Sequence, residues 1–511
     1  MRECGMLLPV ASLPSRYGIG AFSKEAYRFI DTLKAAGQQY WQILPLGPTG
    51  FGDSPYQSFS AFAGNPYFID LEQLVSEGLL TEEECQAVDF GSNSRDIDYK
   101  KIYDGRFPLL KKAYNRWKTR LAGSGAPATG PAYEQVHELA AARLGEETRE
   151  YCFYMAVKNY FDSCSWNLWD EGIRLREQEA VREYREKLTD ETGFYEFLQM
   201  KFEEQWNALK EYAHNQGIRI IGDIPIYVAF DSADSWSHPE LFQFDGDNVP
   251  AAVAGCPPDG FSAAGQLWGN PLYRWEYHSE TGFAWWMKRM EYSFHMYDMV
   301  RVDHFRGFDE YYSIPYKDET AEFGHWEKGP GIRIFQRMKE YFGRDALPII
   351  AEDLGFLTPT VRQLLKDTGF PGMKVLEFAF DPGEDSDYLP HKYGTNCVVY
   401  TGTHDNDTAE GWFASLAGHD RAFAIEYIGG GHTPEGEFHW DLIRTALASA
   451  ADLAVIPVQD YLGTGAEARI NEPSTLGKNW RWRMCAHDLT DEIVNKCRRM
   501  ARIYGRAGAR G

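Results

Sequence analysis

The segment Arg301-Val302-Asp303-His304-Phe305-Arg306-Gly307 places an arginine two residues ahead of an aspartate at the end of a short apolar run. In a strand, alternation sets Arg301 and Asp303 on one side, so the cation keeps the carboxylate ionised and usable as a nucleophile. An ordinary ion pair capping the strand is the structural use of the same two residues. Two further runs end in acids: Ile349-Ile350-Ala351-Glu352-Asp353-Leu354-Gly355 and Val398-Val399-Tyr400-Thr401-Gly402-Thr403-His404-Asp405-Asn406-Asp407. Brought to one mouth, Asp303, Glu352 and Asp405 meet the needs of retaining glycoside chemistry. That reaction uses a nucleophilic carboxylate and an acid/base carboxyl about 5–5.5 Å apart, and further negative charge favours its oxocarbenium-like transition state.

His304, His404, Asp405 and Asp407 are also metal-capable. No H-x-H or H-E-x-x-H spacing occurs, and Arg301 and Arg306 oppose a cation, so no metal is expected. His304 and His404 read as neutral donors to sugar hydroxyls, with a satisfied structural histidine as the alternative.

Residues so far apart in sequence need a scaffold that delivers strand ends to one rim. Short apolar runs ending in polar residues recur at Met6–Val10, Tyr40–Leu44, Ile218–Asp223, Met299–Asp303, Leu347–Glu352, Met373–Phe378, Cys397–Thr401 and Leu453–Val458. These have the pattern of buried parallel strands, mostly separated by helical stretches. They predict an α/β chain, a (β/α)8 TIM barrel with its site at the C-terminal rim. A doubly wound open sheet with an extra domain is the alternative. The gap between Leu44 and Ile218 is too long for one connection. Residues 72–215 are charged and helix-prone and read as a helical insertion subdomain. Residues 235–286, rich in Pro, Gly and Trp without a helical period, read as an ordered loop insertion on one barrel spanning 1–511.

The 52 Lys and Arg against 75 Asp and Glu leave a net charge of −23, which opposes nucleic acid and anionic membrane surfaces as partners. Aromatics make up 15% of the chain, with 15 Trp, 30 Tyr and 31 Phe, more than a core of this size requires. The eight cysteines show no C-x-x-C pair, and Met1–Val10 lacks the apolar length of a signal peptide. They read as reduced thiols of a cytoplasmic protein. The longest apolar stretch, Ala446–Val458, is broken by Ser449 and Asp452, so no membrane span is expected.

Taken together, five motifs in order resemble the amylomaltase, or 4-alpha-glucanotransferase, family (glycoside hydrolase family 77) of the alpha-amylase clan. They are Asp53-Ser54-Pro55-Tyr56-Gln57, Gly222-Asp223-Ile224-Pro225-Ile226-Tyr227, Arg301–Gly307, Ala351–Gly355 and Thr403–Asp407. The resemblance runs from the start of the chain to about Arg483. It implies a barrel with inserted subdomains and no C-terminal β-sandwich. It also implies Asp303 as nucleophile, Glu352 as acid/base and Asp405 as transition-state stabiliser. Arg301 and His404 match the family's supports of substrate and nucleophile, Asp223 the acidic residue at the end of the third strand and Tyr56 the aromatic platform, with Ser54 and His304 in the same substrate-binding motifs. Residues 255–270 look like the family's acceptor-side lid, with Phe261 and Trp268 as apolar faces and Asp259 and Gln266 as hydrogen-bonding groups. Asn471 approaches the donor sugars on the same comparison. Ser474 and Lys478 stand where glycines are expected and Thr464 where an aliphatic is, and Phe51 replaces a tyrosine implicated in a secondary glucan site.

The resemblance implies transfer of α-1,4-glucan segments to the 4-hydroxyl of glucose or a maltooligosaccharide, with no cofactor. Hydrolysis by the same carboxylates is the alternative, because only the acceptor differs. A noncatalytic glucan-binding barrel would not need all three acids.

Overall fold

The computed structural model describes residues 2–50, 52–123, 131–258, 264–355, 357–429, 433–434 and 436–508. Short runs rich in Val, Ile, Leu and aromatics can bury both faces only inside a sheet that is itself covered. Eight of them form parallel strands: β1 (Glu3–Leu7), β2 (Tyr40–Gln42), β3 (Arg219–Pro225), β4 (Met299–Asp303), β5 (Ile349–Ala351), β6 (Gly372–Val375), β7 (Cys397–Tyr400) and β8 (Leu453–Pro457). Their order is β6-β7-β8-β1-β2-β3-β4-β5. The Ala351 N–H donates to the Pro371 carbonyl at 3.0 Å, so β5 meets the approach to β6 and the sheet nearly closes into a (β/α)8 barrel.

The barrel interior is filled by Leu7, Tyr40, Ile221, Ile350, Met373, Val398, Tyr400 and Val455, all buried. Inside it, the Tyr400 hydroxyl donates to Gln42 Oε1 at 2.9 Å. Gly222 in β3 is required by contact: a Cβ there would lie 2.2 Å from the Tyr297 ring. Two apolar runs extend beyond their strands. β1 starts at Glu3 rather than Met6, and Val10–Ser12 folds as a 3-10 turn, since Pro9 has no N–H for a ladder. β6 ends at Val375, and Leu376–Phe378 turns away as 3-10 helix.

Between β2 and β3 the chain builds a helical layer whose longest members are Tyr99–Leu121, Pro131–Arg143, Glu146–Tyr160 and Thr189–Asn215. The last runs 27 residues and buries Phe202 and Trp206, each with its ring centroid 5.2 Å from that of Phe22 in the loop after β1. These contacts dock the layer on the barrel rim.

Residues 235–286 differ from the loop region expected. They contain strands Ala252–Cys256 and Gln266–Pro271, which join Glu310–Pro315 and His325–Lys328 in an antiparallel sheet. A bulge between Val253 and Gly255 breaks the alternation that would reveal the first strand. Its glycine is forced, since a Cβ at Gly255 would sit 2.1 Å from the Gln266 carbonyl oxygen. Helices Ala233–Ser237 and Trp275–Glu280 complete the segment. Among the described residues no helix is long and apolar enough to cross a membrane.

Candidate active site

Adjacent β3 and β4 deliver the centre of the site. Their register pairs Asp223 with Arg301 and Pro225 with Asp303. Arg301 Nη1 donates to both Asp223 oxygens at 2.8 and 2.7 Å, Nη2 donates to Asp303 Oδ1 at 2.9 Å, and Nε reaches Met373 Sδ at 3.4 Å. Arg301 and Asp223 are sealed from solvent, whereas the Asp303 side chain keeps 30% exposure. Alternation correctly puts Arg301 beside Asp303, yet the closer embrace is with Asp223, from a strand the local sequence does not mention. Burial raises the Asp303 pKa and the Arg301 charge opposes it.

Tyr56 closes the arrangement from the excursion after β2. Its hydroxyl donates to Asp223 Oδ2 at 2.9 Å and lies 2.8 Å from His404 Nε2, and its ring stacks on the imidazole at 16°. A tyrosine hydroxyl has one proton, so with Asp223 taking it, His404 Nε2 must carry the hydrogen that faces Tyr56. The same nitrogen is 3.2 Å from Asp405 Oδ2. Burial lowers the His404 pKa, but the Asp405 charge outweighs it and the net direction is up. Asp405 thus shifts His404 toward its charged form. Trp480 packs beside both rings, 5.9 Å from Tyr56 and 6.1 Å from His404.

Glu352 follows β5 and is held by two backbone donors: His304 N–H on Oε2 at 2.8 Å and Leu354 N–H on Oε1 at 2.7 Å. The first of these needs His304 in the left-handed region, φ +54°, a conformation that costs a non-glycine residue roughly 1–2 kcal/mol. Phe305 N–H also meets the Glu352 carbonyl at 3.1 Å, so this side chain is anchored next to the residue after Asp303. Burial and then the Asp303 charge push the Glu352 pKa up, outweighing Arg301 and the two N–H groups. His304 differs from Glu352 in sign. Burial drives its imidazole down to about 3, so it is neutral as expected, while its established contact is made by its backbone. Trp268 meets that imidazole edge-on at 4.8 Å and donates from Nε1 to Gln266 Oε1 at 3.1 Å.

Asp405 lies on the turn after β7. Asn471 Nδ2 donates to its Oδ1 at 2.6 Å, and Arg469 Nη2 holds its carbonyl at 2.7 Å while Nε holds that of Asn471. Asn406 Oδ1 ties the turn by accepting from Thr403 N–H at 3.0 Å and Thr403 Oγ1 at 2.8 Å. Burial would raise the Asp405 pKa, but His404 and Asn471 hold it well below the usual carboxylate range.

Asp303, Glu352, Asp405, Asp223, Arg301, Tyr56, His304, His404, Asn471, Gln266 and Trp268 therefore form one connected rim. Ser54 stands next to it, its hydroxyl accepting Tyr56 N–H at 3.3 Å. Asp259, Phe261 and Phe51 lie outside the described residues. Sequence reasoning passed over Arg469 and Asn406, although Asn406 falls inside the Thr403–Asp407 motif. It also missed Glu377, which packs under Gly402: a Cβ there would be 2.5 Å from Glu377 Oε1. Burial and the neighbouring Asp460 push the Glu377 pKa well up.

The profile of a family described as 4-alpha-glucanotransferase matches residues 8–489. The chain is 45% identical over 502 residues to a 4-alpha-glucanotransferase of Clostridium butyricum, covering 97% of this chain and 99% of that protein. It is also 45% identical over 505 residues to one from Thermus thermophilus, covering 98% of each. The solved structure of an amylomaltase from Streptococcus agalactiae in complex with acarbose superposes with a TM-score of 0.93 at 40% identity. That match covers 99% of this chain and 100% of the other.

Proposed function

The chain belongs to the 4-alpha-glucanotransferase family, and from that premise we propose that it moves α-1,4-glucan segments through a covalent ester on Asp303. Glu352, protonated, gives its proton to the glycosidic oxygen while Asp303 attacks C1. The reducing-side fragment leaves. Glu352, now ionised, takes the proton from the 4-hydroxyl of glucose or a maltooligosaccharide, which attacks the ester and restores an α-1,4 bond. Two inversions give net retention.

The observation that carries this reading is the division of charge between two neighbouring acids. Arg301 donates to Asp303 and favours its ionised form, whereas Glu352 accepts from neutral backbone donors, and burial and the Asp303 charge beside it outweigh the more distant pull of Arg301. Because Arg301 holds Asp303 Oδ1, Oδ2 is the oxygen left for attack. Asp405, kept ionised by His404 and Asn471, is the anion for the oxocarbenium-like transition state. Tyr56, Ser54, Asp223, His404 and Asn471 flank the donor sugars; His304, Trp268 and Gln266, with Asp259 and Phe261 of the lid over 255–270, flank the acceptor. The insertions over 72–215 and 235–286 wall the mouth of the single barrel.

The donors and acceptors are neutral glucans, which a net charge of −23 does not repel. The cysteines are not joined in disulfides in the structure, which supports a cytoplasmic setting. No cofactor enters the scheme. Incubation with maltotriose tests the reaction: glucose and a ladder of longer maltooligosaccharides are expected, with little rise in total reducing ends. A steady rise in reducing ends without longer products would make the chain a hydrolase.

A further inference from the structure

The turn that presents Asp405 rests on an acid that the reaction does not use. Glu377 sits in the 3-10 segment Leu376–Phe378 after β6, and its backbone N–H donates to the Thr401 carbonyl at 3.1 Å, joining the ends of β6 and β7. Its carboxyl reaches under the following residue, Gly402. A Cβ on Gly402 would lie 2.5 Å from Glu377 Oε1 and 3.1 Å from the Asn406 Cβ, so both side chains close on the same stretch of bare backbone.

Asn406 faces two ways. Its carbonyl oxygen accepts from the Thr403 N–H and hydroxyl, and its amide donates to the Glu377 carboxyl. The Thr403 hydroxyl in turn accepts from the Asp405 N–H at 3.3 Å. A continuous chain of bonds thus runs from Glu377 through Asn406 and Thr403 to the backbone of Asp405. Glu377 Oε1 is buried and has no hydrogen-bond donor among the described residues. An ionised oxygen in that position is far costlier than a neutral one. Burial first, and then the charges of Asp460 and Asp407, push the Glu377 pKa well up, against the pull of Arg469 and the Asn406 amide. Asp460 itself is occupied, taking the Thr401 hydroxyl and the Ala409 N–H. The neutral acid is the form of Glu377 that fits, and it has the size and polarity of a carboxamide.

We propose that Glu377 is a positioning residue of the reaction, an uncharged carboxyl that pins the Asn406 amide and so fixes the turn carrying Asp405. The inference rests on the transferase reading above, in which Asp405 faces the oxocarbenium-like transition state. Unlike Asp303 and Asp405, Glu377 serves without a charge.

The test is maltotriose disproportionation by the full chain, with kcat and KM determined for three variants. Glu377→Ala leaves the Asn406 amide unpinned and should lower kcat by about tenfold or more, with KM changed by less than about twofold. Glu377→Gln restores the acceptor for that amide without a charge and should rescue kcat to within about twofold of the unaltered chain. The double variant Glu377→Ala, Asn406→Ala should be no slower than Asn406→Ala alone, because both act through one side chain. A loss of about tenfold or more in kcat for Glu377→Gln overturns the proposal, whether or not the alanine variant folds. So does an alanine variant that keeps its kcat, or a double variant whose loss is the product of the two single losses. Failure of the unaltered chain to make a ladder from maltotriose overturns the transferase reading instead.

Discussion

Arg301 illustrates why the site is both ordered and costly. A guanidinium with almost no exposure is stable only while its two aspartates remain, and removing one member of a buried pair typically costs about 3–5 kcal/mol. Arg301→Gln should therefore lower the unfolding free energy read from chemical denaturation by an amount in that range, because it leaves Asp223 buried without its cation. The same variant has a signature in the pH profile. The reaction needs Asp303 ionised and Glu352 protonated, so kcat/KM falls on the acid side as Asp303 gains a proton and on the alkaline side as Glu352 loses one. Burial already raises Asp303 against the pull of Arg301. Without that pull the acid limb should move to higher pH, which initial rates across pH 4–9 in retained soluble protein would show. An acid limb that stays in place would separate Arg301 from the ionisation of Asp303. At this scale the sequence was informative where chemistry is local. Arg301, Asp303, Glu352 and Asp405 were legible as types and spacings. What was not legible was partnership across strands: Asp223 as the main partner of Arg301, Tyr56 bridging Asp223 and His404, and His404 gaining basicity from Asp405.

The turn after β7 is the element on which Asp405 depends. Asn406 accepts two bonds from Thr403 within it, and Arg469 clamps the Asp405 carbonyl from outside. Asn406→Ala should lower kcat by roughly 10- to 100-fold with little change in KM, since a displaced anion weakens the transition state more than the bound glucan. Steady-state kinetics on maltotriose would separate the two parameters, and a change confined to KM would contradict this role. Among the strands, Gly222→Val should cost about 1–3 kcal/mol by forcing a side chain into the Tyr297 ring. Apolar runs located all eight barrel strands because burial on both faces leaves a strong signal. Their ends were less readable, as at β1, because apolar character reports burial and not ladder bonding, and Pro9 breaks the one without the other. Strand His325–Lys328 carried no signal at all: three of its four residues are exposed, and only its pairing with Glu310–Pro315 defines it.

For the whole molecule the buried acids set a stability optimum on the acid side of neutrality. Burial lifts Asp234 and Asp460 to about 6 each. The native state then holds protons that the unfolded chain releases near its ordinary value of about 4, so stability falls as pH rises through that window. His238 acts in the same direction. Burial opposes its charge, but Glu147 and Glu240 raise it to about 10, so its stabilisation is complete below about 6.5 and declines progressively as the pH rises from there to about 10. Glu147 acts oppositely: burial is outweighed by His238 and Lys288, which hold it at about 2, so stability falls as pH drops below about 4.5. The net charge of −23 adds repulsion at higher pH. The thermal midpoint should be higher at pH 5.5 than at pH 8, as calorimetry at constant ionic strength would record; the reverse order would mean that paired acids outweigh the buried ones. The most direct test of the reaction itself is the intact mass of the Glu352→Gln protein after exposure to maltosyl fluoride, a donor whose leaving group needs no acid. Without a base to activate the acceptor, the mass should rise by one maltosyl unit, and peptide mapping should place the added sugar on Asp303. No adduct, or an adduct on another residue, would contradict a mechanism that runs through Asp303.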